Sequence, residues 1–546
     1  MRAVARLTPF ALAIVLMGAS RVAGLAAQES FGPPQAPCQL TQSNSKINNG
    51  IQALKTAVEK PDQRATQLAQ ARKALTDAIV QDGQSGNPAA WYYLGRHAVL
   101  AGDAAAADTA FARAASLAPA CVADIATYRD ELWGRLVNDA LTVSQDGKLD
   151  SALALLHAAA RLEPHNPKAF ATAAALYASR GNDDSAYAYY RLAGRSAGDD
   201  TTYASDKREA LSNAWHLLVR KVQGHPAAQR AARVRGSLDS LQRAITADSI
   251  VLARLVGSSQ SRKARGAKLA PADQQLFTRD STARAQAVAR GRSALAAALQ
   301  QLAADSTALT AAFAPAIGAL NEYVAAFPAD VDAATTLATL YAQSGHGNQA
   351  AAVFDSLGAH AKNLDPDALF GPGVRLVGQG LYQPGARALA LGLARNPYRR
   401  EALFSLAIAY YQLHDSTALL PAAQRLAALD PLNRASLKLV AAGWDFRRER
   451  DSAKAYVARA DTGIAVEIAV VSFIPDSAGA GIAGLATNLK ATPSKPAHLT
   501  VELLDVGGQI VATLTQDLPA LSPRQSQAFD LKASGRGIAG WRYRAS

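Results

Sequence analysis

Histidine and cysteine carry much of the acid–base, nucleophilic and metal chemistry available at neutral pH, and this chain has nine of the first and two of the second. The histidines are scattered. His157 and His165 are the closest pair, but Pro164 interrupts the helical run that would bring them to one face, so a shared metal is not expected. The patterns H-E-x-x-H, G-x-S-x-G, C-x-x-C and G-x-x-x-x-G-K followed by Ser or Thr do not occur. Gly371-Pro372-Gly373 does not continue as G-x-G-x-x-G, and a local break in a helix is the simpler account of it. The chain therefore reads as non-enzymatic, with no catalytic residue, metal or cofactor. Cys38 and Cys121 are too distant in sequence for a metal knuckle; they form a disulfide or remain two thiols, which spacing does not decide. Arg262, Lys263, Arg265 and Lys268 concentrate positive charge where an anion could bind.

The first residues bear on those cysteines. Arg2 and Arg6 precede an apolar run from Leu7 to Ala19, and Gly24-Leu25-Ala26-Ala27 follows as a small-residue cleavage zone. This is the pattern of an export signal, too short to span a bilayer comfortably. A periplasmic or secreted protein is expected, with an anchor formed by an uncleaved signal as the alternative. Cys38 does not stand directly behind the apolar run, so a lipoprotein is disfavoured. Export would place both cysteines in an oxidising compartment.

The elements that position these residues are mostly helical. Apolar residues make up 49% of the chain and aromatics only 6%, with alanine prominent, which favours closely packed small-residue helices. A 34-residue period organises them. Counting Pro88 as position 1, Trp91, Leu94, Gly95, Ala98, Gly102, Ala107, Phe111, Ala114 and Pro119 stand at positions 4, 7, 8, 11, 15, 20, 24, 27 and 32. Further copies start at Trp133, Pro167, Val331, Pro366, Arg400 and Arg434. Small residues at 8, 20 and 27 allow helices to approach, and large ones at 4, 7, 11 and 24 fill the gaps. Asp150-Ser151, Asp184-Ser185 and Asp451-Ser452, at positions 18 and 19, are expected to cap the second helix of their repeats.

This pattern resembles the tetratricopeptide-repeat family over about two-thirds of the chain. The resemblance implies a helical solenoid and a concave surface, lined by positions 2, 5, 9, 12 and 13, that binds a protein or peptide. In the second array those positions include Phe370, Phe404, Ile408, Tyr411, Gln412, Lys438, Asp445 and Phe446, an aromatic stripe able to anchor a peptide or, equally, to pack against a neighbouring part of the chain. Position 5 is Tyr92, Ala171, Thr335 or Phe404 in most repeats, so the carboxylate clamp of chaperone-tail-binding members is not expected.

From about residue 199 to 330 the register lapses while helical periodicity persists. Between Thr201 and Gln300 stand 17 Lys and Arg against six Asp and Glu, which accounts for the net charge of +10 left once Arg2, Arg6 and Arg21 depart with the signal. A long helical hairpin is expected here, joined by a mobile basic connector from Ser258 to Lys268 and rejoining the repeat register at Ala316, Leu320, Tyr323 and Pro328. Its charge is either an arm for anionic lipid, polysaccharide or an acidic protein, or a solvated face without a partner. Nucleic acid is not expected outside the cytoplasm.

After Asp461 the chain turns to six or seven short β-rich runs broken by Gly, Pro and Asp. Gly484 to Asn488, Leu503-Leu504-Asp505 with Gly508 and Ile510-Val511, and Leu521-Ser522-Pro523 with Phe529 resemble bacterial immunoglobulin-like domains of the FxLYD type, which implies a β-sandwich. The whole is thus read as a mainly α protein: signal 1–27, linker 28–46, first array with capping helices 47–198, basic helical segment with degenerate repeats 199–330, second array 331–461 and β-sandwich 462–546. The expected function is a non-catalytic scaffold of the bacterial envelope that binds an unidentified protein or peptide in its groove, with anion binding through the basic segment as the alternative.

Overall fold

The computed structural model describes residues 31–41, 43–264, 270–361 and 364–545. The chain divides into two compact units, residues 1–210 and 211–546. The expected signal, 1–27, lies outside the described residues.

In the first unit helices pair antiparallel in sequence order: α1 (Ser45–Glu59) with α2 (Arg64–Val80), α3 (Pro88–Ala101) with α4 (Ala104–Leu117), α5 (Val122–Gln145) with α6 (Leu149–Leu162), and α7 (Lys168–Ser179) with α8 (Asp183–Ser196). The copies starting at Pro88 and Trp133 do not abut, because α5 begins 11 residues ahead of Trp133 and runs 24 residues without a break. A ninth helix, α9 (Ala204–Gln223), spans the division between the units.

The repeat positions acquire physical reasons here. A Cβ on Gly95, at position 8, would stand 2.4 Å from the ring of Phe111 at position 24; one on Gly373 would stand 2.7 Å from Leu389 in the same relation. Only a missing side chain lets the two helices of the pair close to that distance. Position 15 follows the first helix and is left-handed throughout: Gly102, Gly147, Gly181, Gly345 and Gly380 have φ of 75°, 81°, 72°, 85° and 75°. His414 and Arg448 occupy the same position at φ 56° and 66°, so the turn imposes its conformation even where no glycine is present.

One expectation at the helix starts is corrected. Asp150, Asp184 and Asp451 do not cap; the cap residues are Lys148, Asn182 and Glu449, and each aspartate lies within the first turn. There its charge meets the positive end of the helix, whereas at the start of α8 the cap bond is accepted by the Asn182 side chain from the N–H of Ser185.

The second unit continues with α10 (Pro226–Ala264) and α11 (Pro271–Ala326), which pair along their length as the expected hairpin. α10 stays helical to Ala264, so much of the stretch expected to be a mobile connector from Ser258 is helix. α11 bends by 49° between Asp305 and Ala308. Beyond the bend Ala316, Leu320 and Tyr323 are buried as positions 20, 24 and 27 require, and Tyr323 meets Trp215 of α9 edge to face at 6.1 Å. The hairpin is therefore an insertion inside one repeat, whose first helix is α9 and whose second is the last limb of α11. The array continues as α12 (Val331–Gln343), α13 (Gly347–His360), α14 (Asp367–Gly378), α15 (Tyr382–Leu393), α16 (Arg400–Gln412), α17 (Leu419–Leu429), α18 (Arg434–Phe446) and α19 (Arg450–Ala458). Among the described residues no single helix is long and apolar enough to cross a membrane; only the two limbs of α11 taken together reach that composition.

Six strands follow: β1 (Val466–Pro475), β2 (Gly479–Asn488), β3 (Ala497–Leu504), β4 (Ile510–Leu518), β5 (Ser526–Ser534) and β6 (Gly540–Ala545). They form two antiparallel three-stranded sheets, ordered β1-β2-β5 and β4-β3-β6, that share one core of Ile468, Ile482 and Phe529 with Leu499, Val501, Leu503 and Trp541. The motif residues singled out in the sequence have structural work. Gly484 lies where a Cβ would be 2.5 Å from Ala469 O, and the Asn488 amide, fully buried, donates to the carbonyls of Thr492 and Leu521 at 2.9 Å each.

This sandwich seats on the turns between repeats. Asp430, with no exposed surface, accepts from Arg400 at 2.8 Å and from the Tyr543 hydroxyl at 2.6 Å, while Tyr543 Oη accepts from the Leu432 N–H at 3.1 Å. Asn396 donates to Ala539 O at 3.0 Å. Tyr398 fits so closely that a Cβ on Gly540 would stand 2.3 Å from its carbonyl oxygen.

Candidate functional site

The first unit holds an occupant on its own repeat face. Asn87 caps α3, accepting from the N–H of Ala89, and Pro88 starts it, which fixes Tyr92 and Arg96 at positions 5 and 9 on one side. Residues 31–38 run across that side. Arg96, only 5% exposed, donates to Gly32 O at 2.7 Å and stacks its guanidinium on the rings of Phe31 and Tyr128, at 3.8 and 4.6 Å from their centroids. Asp124 of α5 accepts from the Gln35 N–H at 3.1 Å and, through its other oxygen, from the Tyr92 hydroxyl at 2.5 Å. Burial, and next the bond to Asp124, push the Tyr92 phenol far above its usual range. Cys38 and Cys121 are joined in a disulfide, 4% and 1% exposed, at the end of this segment. Besides the disulfide, the contacts made are one aromatic ring, one carbonyl and one backbone N–H, of which the last two are common to any chain.

The equivalent face of the second unit opens into a cavity of about 360 Å³. Thr335, Thr339 and Gln343 contribute positions 5, 9 and 13 of α12. Arg375 and Gln379 of α14, Gln223 of α9 and Gln229 of α10 complete a polar lining over a floor that includes Val219, Val222, Phe313 and Leu340. Side-chain amides both donate and accept, and no carboxylate lines the cavity. The Thr335 and Thr339 hydroxyls donate to the carbonyls of Val331 and Thr335 at 2.7 Å, which leaves their oxygens as acceptors toward the cavity.

The aromatic stripe expected over the second array is only partly a surface. Phe370 is 6% exposed and belongs to the core, packed where Gly392 lacks a side chain, and is corrected from anchor to packing residue. Phe404 and Ile408 are half-buried against the same core, with the Arg400 guanidinium 4.9 Å from the Phe404 ring. Tyr411 and Phe446 do meet at a surface, stacked at 5.6 Å with an 8° interplanar angle, and His414 lies 5.5 Å from Phe446. Gln412 is exposed beside them. Lys438 pairs with Asp461 at 3.0 Å. The cavity is not legible in the repeat pattern: Thr335 at position 5 excludes a carboxylate clamp and no more, and the walls from α9 and α10 come from a segment outside the repeat register.

Arg265 and Lys268 lie outside the described residues. Arg262 and Lys263 fall in the last turn of α10. Elsewhere on the hairpin Arg284 pairs with Asp248 at 2.5 Å and Arg230 with the buried Asp305 at 2.9 Å, whereas Arg254, Arg290 and Arg292 are exposed. Among the described residues no cluster of three His, Cys, Asp or Glu is placed to hold a metal ion.

A tetratricopeptide-repeat family model matches residues 144–208. No curated protein matches the chain. Among solved structures it is similar to a tetratricopeptide repeat protein from Parabacteroides merdae, at 13% identity over 60% of this chain and 92% of that one, with a TM-score of 0.22. It is likewise similar to the APC/C hetero-tetramer Cut9–Hcn1, at 14% identity over 77% of this chain and 88% of that one, with a TM-score of 0.22. Yeast Tom70 matches at 10% identity over 68% of this chain and 91% of its own, with a TM-score of 0.17. Scores this low describe no common arrangement of the whole chains.

Proposed function

We propose that this chain is a non-catalytic scaffold, exported to the bacterial envelope, that holds an extended segment of a partner protein on the face of its second array formed by repeat positions 5, 9 and 13. The observation that carries the reading is the chain's own segment 31–38, held beside its disulfide by Arg96 at position 9 of α3 through one ring and one carbonyl, and by Asp124 of α5 through one N–H. Position 9 of α12, Thr339, lines an open cavity together with Thr335 and Gln343, and the threonines and glutamines there suit backbone groups. Tyr411 and Phe446 offer a place for a partner's apolar side chain. The Cys38–Cys121 disulfide accords with an oxidising compartment.

A photo-crosslinking amino acid placed at Thr339, in the mature protein within its own envelope, tests this. It is expected to capture one protein partner, and Gln343→Ala with Tyr411→Ala to reduce the yield several-fold. Equal capture from an exposed position on the other face of the array, such as Asp355, would sink the reading.

A second reading has its own observation: Arg254, Arg290 and Arg292 are exposed on a hairpin with 13 Lys and Arg against six Asp and Glu. In it the hairpin binds an anionic envelope surface. Sedimentation with vesicles rich in phosphatidylglycerol is then salt-dependent and falls on charge reversal at those arginines; salt-insensitive sedimentation refutes it.

A further inference from the structure

Within the second array each helix pair is covered by the next first helix, until the array ends. Position 24 records this. Phe354, Leu389 and Ala423 are 1%, 0% and 0% exposed, whereas Val457, the same position of the last repeat, is 43% exposed. Between α18 and α19 lies a groove of about 690 Å³, floored by Ala441, Ala442, Ala453, Val457 and Ala458. Arg450 and Lys454 edge it along α19. Lys454 also lies 3.6 Å from the exposed Asp451; of the two carboxylates in the lining, Asp461 on the opposite edge is paired with Lys438 at 3.0 Å and Asp445 is exposed.

What fits such a groove is visible one repeat earlier. α18 lies against α17 so closely that a Cβ on Gly443 would stand 2.9 Å from Leu420 Cα, with Val440 fully buried in the core that holds Leu420. The α18–α19 groove continues that interface with its occupant missing among the described residues. We infer that it docks an amphipathic α-helix of a partner protein, with a small residue at the centre of its apolar stripe and acidic residues along the edge that meets Arg450 and Lys454. Alanines on the floor admit the close crossing, and Arg450 with Lys454, whose pair with Asp451 is solvent-exposed and weak, selects the acidic edge. This site is separate from the 360 Å³ cavity and does not depend on what that cavity binds.

The test uses the full exported chain and two helix-stapled peptides of the Arg434–Phe446 sequence, one native and one with glutamate at positions 434 and 438. Fluorescence anisotropy should show saturable binding below about 1 mM, tighter for the glutamate peptide. Val457→Asp, at an exposed position, should weaken it about tenfold or more by placing a charge in the apolar interface. Lys454→Glu should remove the preference for the glutamate peptide. Thr339→Arg should change neither, which separates this site from the cavity. Absent binding, or equal loss in Thr339→Arg, overturns the inference, provided circular dichroism shows the variants folded. Concentration-dependent self-association abolished by Val457→Asp would also overturn it, since a second copy would then be the occupant.

Discussion

At the scale of single residues, buried polar groups mark where this chain is committed. Arg96 and Asp124 face each other's aromatic neighbours in a pocket closed by the chain's own N-terminal segment, and each has a named partner. His97, next to Arg96 in sequence, is 8% exposed, and burial holds its imidazole below the ordinary histidine value of 6.5 against the bond to Leu68. The folded state thus resists taking up a proton that the unfolded chain accepts. Stability is expected to be complete above pH 6.5 and to decline as pH falls from there toward the depressed folded value. Urea midpoints at pH 7.5 and 5.5 check this: the first unit should lose stability on acidification, and His97→Gln should remove part of that loss. An equal loss in the variant assigns the pH dependence to other groups.

At the scale of the helix pair, the governing feature is the turn after the first helix. It is left-handed in seven repeats of the described residues; glycine serves it in five, His414 and Arg448 in two. A side chain in that conformation costs about 1–2 kcal/mol relative to the right-handed region, partly offset by the greater freedom of glycine in the unfolded chain. Arg448→Gly should therefore stabilise the second unit by about 0.5–1 kcal/mol in equilibrium urea unfolding. A neutral or destabilising result would mean that the Arg448 side chain contributes more than its backbone costs. His414 is a poorer choice for the test, because its ring also lies against Phe446.

At the scale of the whole chain, the β-sandwich is joined to the second array through buried polar bonds as well as apolar contact. Asp430 is held above the usual carboxylate range by burial, against the pull of Arg400, Tyr543 and Ser436, so its partners stabilise it incompletely. Tyr543→Phe removes the hydroxyl that donates to Asp430 and accepts from Leu432. The loss should be about 1.5–3 kcal/mol, the range for a hydrogen bond to a charged group, and protease should reach the sandwich sooner. Limited proteolysis with unchanged kinetics would show that the apolar contacts alone hold it.

The 34-residue period was legible because its positions are dictated by local geometry: glycine at 8 and 15, small residues at 20 and 27, proline at 32 are each demanded within one helix pair or its neighbour. The six strands were legible for the same reason, since alternation and turn residues act over a few positions. Which of the surface positions stay open was not. Phe370 has the repeat position of a groove residue and is buried, because Gly392 on a different helix leaves it a place to pack. The segment 31–38 reads as a linker and becomes a groove occupant only once α3 and α5 stand side by side. The cavity beside Thr339 needs α9 and α10, more than a hundred residues earlier in the chain. Sequence determined the repeating unit; the tertiary structure decided which repeats are filled, since occupancy depends on contacts between distant segments that no periodicity encodes.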